Sequence, residues 1–310
     1  MRVLIALGGN AMTSPDGRAT PHDQRAAITA AMEAVADLIA SGVQVVLTHG
    51  NGPQVGNLLV KNEIAADVVP PVPLDWCGAQ TQATIGVLIM NALESALTRR
   101  GVAGTRPAVV VSRTLVDAAD PGFTTPTKPI GRYLPEPEAQ KLIGHGQDWR
   151  DMGERGWRRL VSSPEPVECL DAGAAAALAE AGFTVVCAGG GGVPVVRDAD
   201  GRLRGVEAVI DKDLTAAVLA RQLGADVLLI ATDVDAVMTG WGTPEARPIA
   251  LVGATELRDL AAAGEFGSGS MGPKVEAACR FAASGGRAII THLTKIADAL
   301  AGRAGTIVAP

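Results

Sequence analysis

The sequence predicts an α/β protein whose mostly parallel sheet is covered by helices on both faces. Short runs of aliphatic and β-branched residues alternate with longer segments in which apolar residues recur at helical spacing. The strands are predicted at residues 3–7, 43–47, 108–111, 184–188, 226–231 and 288–291. This alternation favours parallel neighbours, because a helix must carry the chain back before the next strand begins.

Each predicted element has a local reason. Residues 3–7 form a continuous apolar run that glycines end, as expected of a strand buried on both faces. Residues 21–40 are predicted to be a helix, since apolar residues recur at helical spacing up to Ile39 and Ser41-Gly42 follows. The alanine-rich stretch 172–181 is predicted to be a further helix.

Two regions interrupt the alternation. Residues 118–165 contain many prolines, glycines and charged residues with little periodicity, which favours an inserted lobe or lid over a linker. Residues 195–206 contain the turn signal Asp198-Ala199-Asp200-Gly201 and are predicted to form a hairpin. The strand–helix pattern restarts near residues 209–213, so we expect a domain change there.

The composition is that of a folded chain with an aliphatic core. Of the 310 residues 47% are hydrophobic but only 3% are aromatic, so Ala, Val, Leu and Ile must build the core. The net charge of −6 excludes the positive field of a general nucleic-acid binder, and the high apolar content excludes a disordered chain. An anionic substrate must therefore meet a local positive site. The candidate cations include six lysines: Lys61, Lys128, Lys141, Lys212, Lys274 and Lys295.

No segment reaches the roughly 20 apolar residues that span a bilayer, and the apolar start meets Gly8 too soon for a signal peptide. The cysteines lie far apart without C-x-x-C spacing, which favours buried thiols over disulfides or metal ligands. We therefore expect a soluble, cytoplasmic protein with no membrane or nucleic-acid partner. The four cysteines are Cys77, Cys169, Cys187 and Cys279.

Two glycine-asparagine loops directly follow the first two predicted strands. The first is Gly8-Gly9-Asn10, and the second is Gly50-Asn51-Gly52, preceded by His49. Glycines at the carboxyl end of a parallel strand let backbone N–H groups approach an anion, although each loop alone could be a simple turn. Because both open at the same sheet edge, the pair favours an anion pocket. His49 fits a structural role better than a catalytic one.

A third glycine cluster, Gly189–Gly192, follows the strand predicted at 184–188. Four consecutive glycines have a high ordering entropy, which indicates that the backbone comes close to something. A proline and a predicted hairpin follow, where a dinucleotide fingerprint requires a helix. The chain also lacks G-x-x-x-x-G-K-[ST], so both common nucleotide motifs are absent.

Three lysines occupy positions that suit a phosphate. Lys212 lies between Asp211 and Asp213 at the start of a predicted helix, as a surface ion pair or as a phosphate-binding lysine. Lys274 follows a Gly/Ser run in the first turn of a helix, where a cation opposes the helix dipole unless an anion shares the site. Lys128 stands between two prolines in the inserted region, in a lid or a plain surface turn.

Polar residues also end the strand predicted at 226–231. Thr232 and Asp233 would fit a contact to a nucleotide or ribose there, and Asp235 fits a turn cap equally well. The sequence contains no cluster of His, Cys and carboxylates at metal-ligand spacing.

Together these motifs resemble the carbamate kinases, a group within the amino-acid-kinase superfamily. Many superfamily members have a lysine two residues before the first glycine pair, where this chain has Ala6; carbamate kinases share that loss and carry a lysine at the position of Lys212. The matching stretches, in the family's order, are ALGGNA (6–11), THGNGPQVGN (48–57), PLDWCGAQTQ (73–82), PTKPIG (126–131), GWRRLVSSPEP (156–166), CAGGGGVPV (187–195), EAVIDKD (207–213), TDVD (232–235) and GSMGPKVEAA (269–278).

The resemblance implies an architecture and an activity. The fold would be a three-layer αβα sandwich with a mainly parallel central sheet, the amino-acid-kinase fold, and a small protruding subdomain. Residues 1–210 would form an acceptor-binding part that includes the lid at 118–165, and residues 211–310 a nucleotide-binding part. The activity would be reversible phosphoryl transfer between ATP and carbamate, with Mg²⁺ accompanying ATP or ADP, carried out by a homodimer and run toward ATP in arginine catabolism.

The resemblance also assigns roles by position. The catalytic residues would be Lys128, Lys212, Asp213 and Lys274. The residues around the acceptor and the transferring phosphoryl would be Gly8, Gly9, Asn10, Gly50, Asn51 and Gly52. The nucleotide would contact Lys212, Thr232, Asp233, Met271, Gly272 and Lys274, and no protein side chain is assigned as a metal ligand.

Two alternatives stay open from the sequence. One is another kinase of the superfamily that phosphorylates a different carboxylate, and the other is a catalytically silent nucleotide-binding regulator. A dinucleotide dehydrogenase is disfavoured, because no helix is predicted after Gly189–Gly192.

Overall fold

A computed structural model describes residues 1–9, 20–266 and 271–310. The helices are α1 (Pro21–Ala40), α2 (Gly52–Ala65), α3 (Leu74–Arg99), α4 (Glu136–Ile143), α5 (Ala172–Glu180), α6 (Lys212–Gln222), α7 (Ala254–Ala262), α8 (Met271–Ala282) and α9 (Ile296–Leu300). The strands are β1 (Arg2–Leu7), β2 (Gln44–His49), β3 (Arg106–Val109), β4 (Arg113–Val116), β5 (Lys128–Leu134), β6 (Asp148–Asp151), β7 (Trp157–Val161), β8 (Pro166–Cys169), β9 (Phe183–Val186), β10 (Val193–Arg197), β11 (Leu203–Gly205), β12 (Val227–Thr232), β13 (Met238–Thr239), β14 (Arg247–Pro248), β15 (Leu251–Gly253), β16 (Arg287–His292) and β17 (Thr306–Ala309).

The central sheet has the strand order β15-β17-β16-β12-β1-β2-β9-β3. Its strands pair in parallel except for β16 with β17, which are antiparallel. The six strands predicted from the sequence are all present in this sheet, with their ends shifted by at most two residues. The predicted α/β class with a mainly parallel sheet is therefore confirmed.

Side chains of β1 alternate between two apolar cores, as the two-residue period of a strand requires. Leu4 and Ala6 belong to a core with α5, α6, α7 and α8 on one face of the sheet. Val3, Ile5 and Leu7 belong to a core with α1, α3 and α9 on the other face. Helices thus cover both faces, which confirms the three-layer architecture.

The inserted region contains a small sheet of its own. Strands β5, β7 and β6 pair in antiparallel order, and α4 connects β5 to β6. This lobe contacts α2 at a glycine pair, since a Cβ on Gly56 would lie 3.0 Å from Cα of Gly131. The sequence predicted a lobe here, but not its sheet; the division of the chain near residue 210 stays a prediction.

The hairpin predicted at residues 195–206 is formed by β10 and β11, whose antiparallel register places Val195 opposite Gly205.

All four cysteines are free and buried, as expected from their spacing. Burial raises the pKa of the Cys169 thiol to about 12 and that of the Cys187 thiol to about 11. Among the described residues, no helix combines the length and the apolar character that a bilayer crossing needs.

The glycine run at 189–192 packs against protein. A Cβ on Gly189 would lie 2.3 Å from Nε2 of His49, and a Cβ on Gly190 would lie 2.1 Å from Nδ2 of Asn51. Gly190 also has φ of +67°, a left-handed conformation that favours glycine. The close approach inferred from the sequence is therefore between this glycine run and the end of β2 with its following loop. The run packs directly against the side chains of His49 and Asn51.

We predict that Gly190→Ala lowers the free energy of unfolding more than Gly182→Ala does. Both glycines have positive φ, but a Cβ on Gly182 would meet no atom within 4 Å. The left-handed conformation should cost about 1–2 kcal/mol at each position, and overpacking about 1–3 kcal/mol more at Gly190. Equal losses in denaturant titrations of the two variants would contradict the packing role.

Candidate active site

Three loops meet at one edge of the central sheet. Strands β12, β1 and β2 are neighbours, and their carboxyl ends are followed by Asp233, Gly8 and Gly50. The backbone N–H of Gly8 donates to the carbonyl of Ala231 at 2.9 Å, and that of Gly50 donates to the carbonyl of Leu7 at 3.1 Å. The sheet thus brings together the two glycine loops predicted to share an edge, where parallel α/β sheets bind ligands.

The glycine loops pack closely against β12, against each other and against Lys212. A Cβ on Gly8 would lie 3.0 Å from the carbonyl oxygen of Ala231. One on Gly50 would lie 3.5 Å from the backbone nitrogen of Gly9 and 3.6 Å from Cε of Lys212. The Lys212 side chain therefore reaches the glycine loops. Asn10, assigned to the same site from the sequence, lies outside the described residues.

Lys212, Asp213 and Lys274 form a buried charge cluster. Nζ of Lys212 donates to Oδ1 of Asp213 at 2.5 Å, and Nζ of Lys274 donates to Oδ2 at 3.1 Å. Their side chains are 11%, 5% and 9% exposed, respectively. The surface ion pair that the sequence left open for Lys212 is therefore excluded. Together the three side chains carry one net positive charge.

The two lysines control the ionisation of the carboxylate. Burial alone would raise the pKa of Asp213, but the charges and hydrogen bonds of Lys212 and Lys274 outweigh it and lower the pKa. Burial also lowers the pKa of Lys212, and the neighbouring Lys274 adds to this while Asp213 opposes it. An anion at Lys212 would stabilise its charged form, because opposite charge favours ionisation.

Lys128 reaches the same region from the lobe. Its Nζ donates to Oδ2 of Asp211 at 2.6 Å, while Oδ1 of Asp211 accepts from the backbone N–H of Asp213 at 2.9 Å and of Leu214 at 3.3 Å. Asp211 is thus the N-cap of α6 and the partner of Lys128. Asp211 was not assigned to the site from the sequence. Its position just before a predicted helix signalled the cap, but nothing signalled a partner in the lobe.

Asn51 is held by protein contacts. Its side chain is buried and donates to Oγ1 of Thr81 in α3 at 2.9 Å. Gly52, the next residue, begins α2 and is exposed. Asn51 therefore fixes the loop between Gly50 and Gly52, and its predicted contact with the acceptor stays a prediction.

The residues predicted to contact a nucleotide lie at two places. Thr232 ends β12, and its Oγ1 donates to Oδ1 of the exposed Asp233 at 3.0 Å. Met271 and Gly272 begin α8, one turn before the buried Lys274. Asp235, for which the sequence suggested a turn cap, instead accepts from the exposed Lys295 at 2.8 Å.

His49 lies beneath the second glycine loop. Its Nδ1 is 2.8 Å from the carbonyl oxygen of Gly50, which accepts the hydrogen bond in the neutral Nδ1–H tautomer. Burial, aided by the charge of Lys212, lowers the pKa of His49 to about 4. The imidazole is therefore neutral at pH 7 and supports the loop, as the structural interpretation from the sequence expected.

Comparisons with known proteins agree with this arrangement. The model of the amino acid kinase family matches residues 1–292. The carbamate kinase of Halobacterium salinarum is 46% identical over 311 residues, and that of Pyrococcus horikoshii 42% identical over 314; each alignment covers at least 98% of both chains. A carbamate kinase from Giardia lamblia bound to AMP-PNP has a TM-score of 0.91 at 39% identity, covering 99% of this chain and 98% of its own.

We predict that His49 makes the stability pH-dependent. Between pH 6.5 and about 4 the unfolded chain protonates this histidine while the folded chain does not, so the free energy of unfolding falls as the pH falls. The loss from this group should reach about 3 kcal/mol near pH 4. This loss of unfolding free energy should be absent in His49→Gln. It should be present in His22→Gln, which removes an exposed histidine. Parallel pH curves for all three proteins would refute it.

Proposed function

The chain belongs to the amino acid kinase family, and we propose that it catalyses reversible phosphoryl transfer between ATP and carbamate, giving ADP and carbamoyl phosphate. Full-length relatives named carbamate kinase support this choice within the family. The observation that carries it is the buried cluster of Lys212, Asp213 and Lys274 beside two glycine loops. Such a site holds phosphate groups and offers backbone N–H groups to their oxygens.

The chemistry needs little from the protein beyond position and charge. The carbamate oxygen that attacks the γ-phosphorus is already an anion, so no side chain has to remove a proton. As the bond to the leaving oxygen of ADP breaks, negative charge spreads over the transferring oxygens. This agrees with the neutral, buried His49, which acts on the loop and not on a proton of the substrate.

Lys212 and Lys274 stabilise the transferring phosphoryl group in this proposal. Asp213 holds both ammonium groups in place, since each of its oxygens accepts from one of them. A carboxylate between two cations keeps them close at a lower repulsive cost and leaves a net positive charge for the phosphate. Lys128, held by Asp211 on the lobe side, supplies a third cation toward the acceptor.

The nucleotide occupies the side of the edge formed by the end of β12 and the start of α8, where Thr232, Asp233, Met271 and Gly272 lie. The AMP-PNP complex of the Giardia lamblia relative supports nucleotide binding. Mg²⁺ would accompany the nucleotide and would supply positive charge to its phosphate groups. Both oxygens of Asp213 already accept from lysines, so this carboxylate fits a lysine organiser better than a metal ligand.

The proposal includes the two-part organisation that the resemblance implies. Residues 1–210, with the lobe at 118–165, take the acceptor, and residues 211–310 take the nucleotide. The enzyme would work in the cytoplasm toward ATP at the end of arginine breakdown, and its four free buried thiols agree with a reducing compartment.

A homodimer also belongs to the proposal. Trp76 and Val87 are exposed on α3, and their spacing of three helical turns places them on the same helix face. Large exposed apolar side chains on one face favour burial against a second copy. Sedimentation equilibrium should give about twice the mass of one chain, 31.6 kDa.

The decisive experiment supplies the purified protein with carbamoyl phosphate and Mg-ADP and measures the ATP formed. ATP above a blank without enzyme supports the proposal. No ATP from carbamoyl phosphate, but phosphorylation of another carboxylate by Mg-ATP, would assign the chain to another activity of the family. Nucleotide binding without any transfer would indicate a silent regulator.

We predict that Lys212→Ala lowers kcat about 10²–10³-fold, because removing one group that stabilises transition-state charge costs about 2.7–4 kcal/mol. Lys141→Ala is the matched control, since Lys141 is an exposed lysine of α4 outside the charge cluster. It should keep the wild-type kcat. Equal kcat values for the two variants would refute the role of Lys212.

A further inference from the structure

A large cleft lies beside the proposed phosphoryl site. It has a volume of about 1220 Å³ and lies between the start of α1, the exposed side of α2, the first half of α3 and the lobe. At one end it reaches Gly52, the residue after Asn51 in the second glycine loop. The cleft therefore leads from the surface to the first turn of α2.

The described residues that line this cleft carry positive charge only. They include Lys61, Arg132 and Arg158, and no Asp or Glu is among them. Arg158 is held by the lobe, where its guanidinium lies 5.1 Å from the ring centre of Tyr133 and donates to the carbonyl of Gly131 at 3.3 Å. On a chain with a net charge of −6, this local excess of cations attracts an anion.

Gln54 supplies a second, independent feature of the cleft. It is the third residue of α2, lines the cleft and is only 8% exposed. Its Nε2 donates to Oε1 of Gln24 at 3.1 Å, which fixes the orientation of the amide. Its Oε1 is buried and accepts no hydrogen bond. A buried acceptor without a donor is rare, and a ligand that brings one would satisfy it.

We propose that the cleft receives the phosphoryl acceptor, with its amino group donating to Oε1 of Gln54 and its negative charge facing the cations. This inference rests on the proposed function and adds how the acceptor is selected. Carbamate and acetate have nearly the same size and charge, but one has an amino group where the other has a methyl group. Shape and charge cannot separate them, whereas an amide oxygen that needs a donor can.

Gln54 would select the substrate in the same way in the direction toward ATP. Carbamoyl phosphate can donate from its amino group, and acetyl phosphate leaves the oxygen of Gln54 without a donor. A site with a buried, unsatisfied acceptor disfavours the analogue more than it favours the correct ligand, because the missing bond is not replaced by water. Gln54 is therefore a specificity-determining residue in this proposal.

The test measures kcat/KM for carbamoyl phosphate and for acetyl phosphate with Mg-ADP. Where acetyl phosphate turns over too slowly, its inhibition constant against carbamoyl phosphate is used instead. In Gln54→Met the preference for carbamoyl phosphate should fall about 10–100-fold, mainly through carbamoyl phosphate. A wild-type preference that persists in Gln54→Met overturns the proposal.

Two matched controls distinguish the loss of the Gln54 acceptor from a general disturbance of the cleft. Gln80→Met changes an exposed glutamine of the same cleft and should keep the wild-type preference. Gln24→Met removes the hydrogen bond that orients the Gln54 amide but leaves its oxygen in place, so the preference should fall less than in Gln54→Met. If either control loses the preference as fully as Gln54→Met does, the effect is structural and the proposal fails.

A conservative variant keeps the test decisive if Gln54→Met does not fold. Gln54→Glu retains an oxygen acceptor of the same length, so it should keep the preference while its added charge lowers kcat/KM for both anions alike. A lost preference in this variant overturns the proposal. Inactivity of the wild-type protein with carbamoyl phosphate would instead refute the proposed function itself.

The cations of the cleft provide a further readout. Arg132→Gln should raise the KM for carbamoyl phosphate several-fold at low salt, with a smaller effect at high salt, and leave the KM for ADP unchanged. Lys141→Gln, in the same lobe but outside the lining of the cleft, should leave both KM values unchanged. A KM for carbamoyl phosphate that is insensitive to Arg132→Gln also overturns the proposal.

Discussion

The arrangement of the site depends on one buried carboxylate shared by two lysines. Removing Lys212, Asp213 and Lys274 from water is costly, and a buried ion pair seldom stabilises a fold more than apolar residues of the same volume would. The cluster instead fixes the positions of the two ammonium groups, because each oxygen of Asp213 accepts a hydrogen bond from one of them. The pair converges from α6 and α8, so these helices must keep their relative position for the charges to balance.

The glycine loops pack directly against this cluster. A Cβ on Gly50 would be in van der Waals contact with the backbone of Gly9 and with Cε of Lys212. The glycine run at 189–192 packs against the second of these loops, and the absence of side chains at Gly189 and Gly190 leaves room for His49 and Asn51. Close packing of backbone and side chain thus places the loops, and the neutral His49 adds no charge beside Lys212.

The sequence predicted the central sheet well, because buried parallel strands are local apolar runs that glycines and helices delimit. It also singled out Lys274, since a cation at a helix start opposes the helix dipole. Lys128 and Lys212 were left with two interpretations each, and the resemblance to carbamate kinases assigned all three lysines to phosphate. The sequence did not assign Asp211 or Gln54 to the site. Their significance arises from partners far away in the chain, Lys128 in the lobe and Gln24 in α1, and no local pattern encodes such contacts. The sheet within the lobe was missed for a related reason, because its short exposed strands lack an apolar period.

Asp211 connects the lobe to the charge cluster. One of its oxygens caps α6 and so helps to fix the backbone from which Lys212 and Asp213 project, while the other accepts from Lys128 of β5. The cap uses Oδ1 of Asp211 and the backbone N–H groups of Asp213 and Leu214, so it does not involve Lys128. Asp211 is thus the carboxylate through which the lysine of the lobe is joined to the helix that carries Lys212 and Asp213.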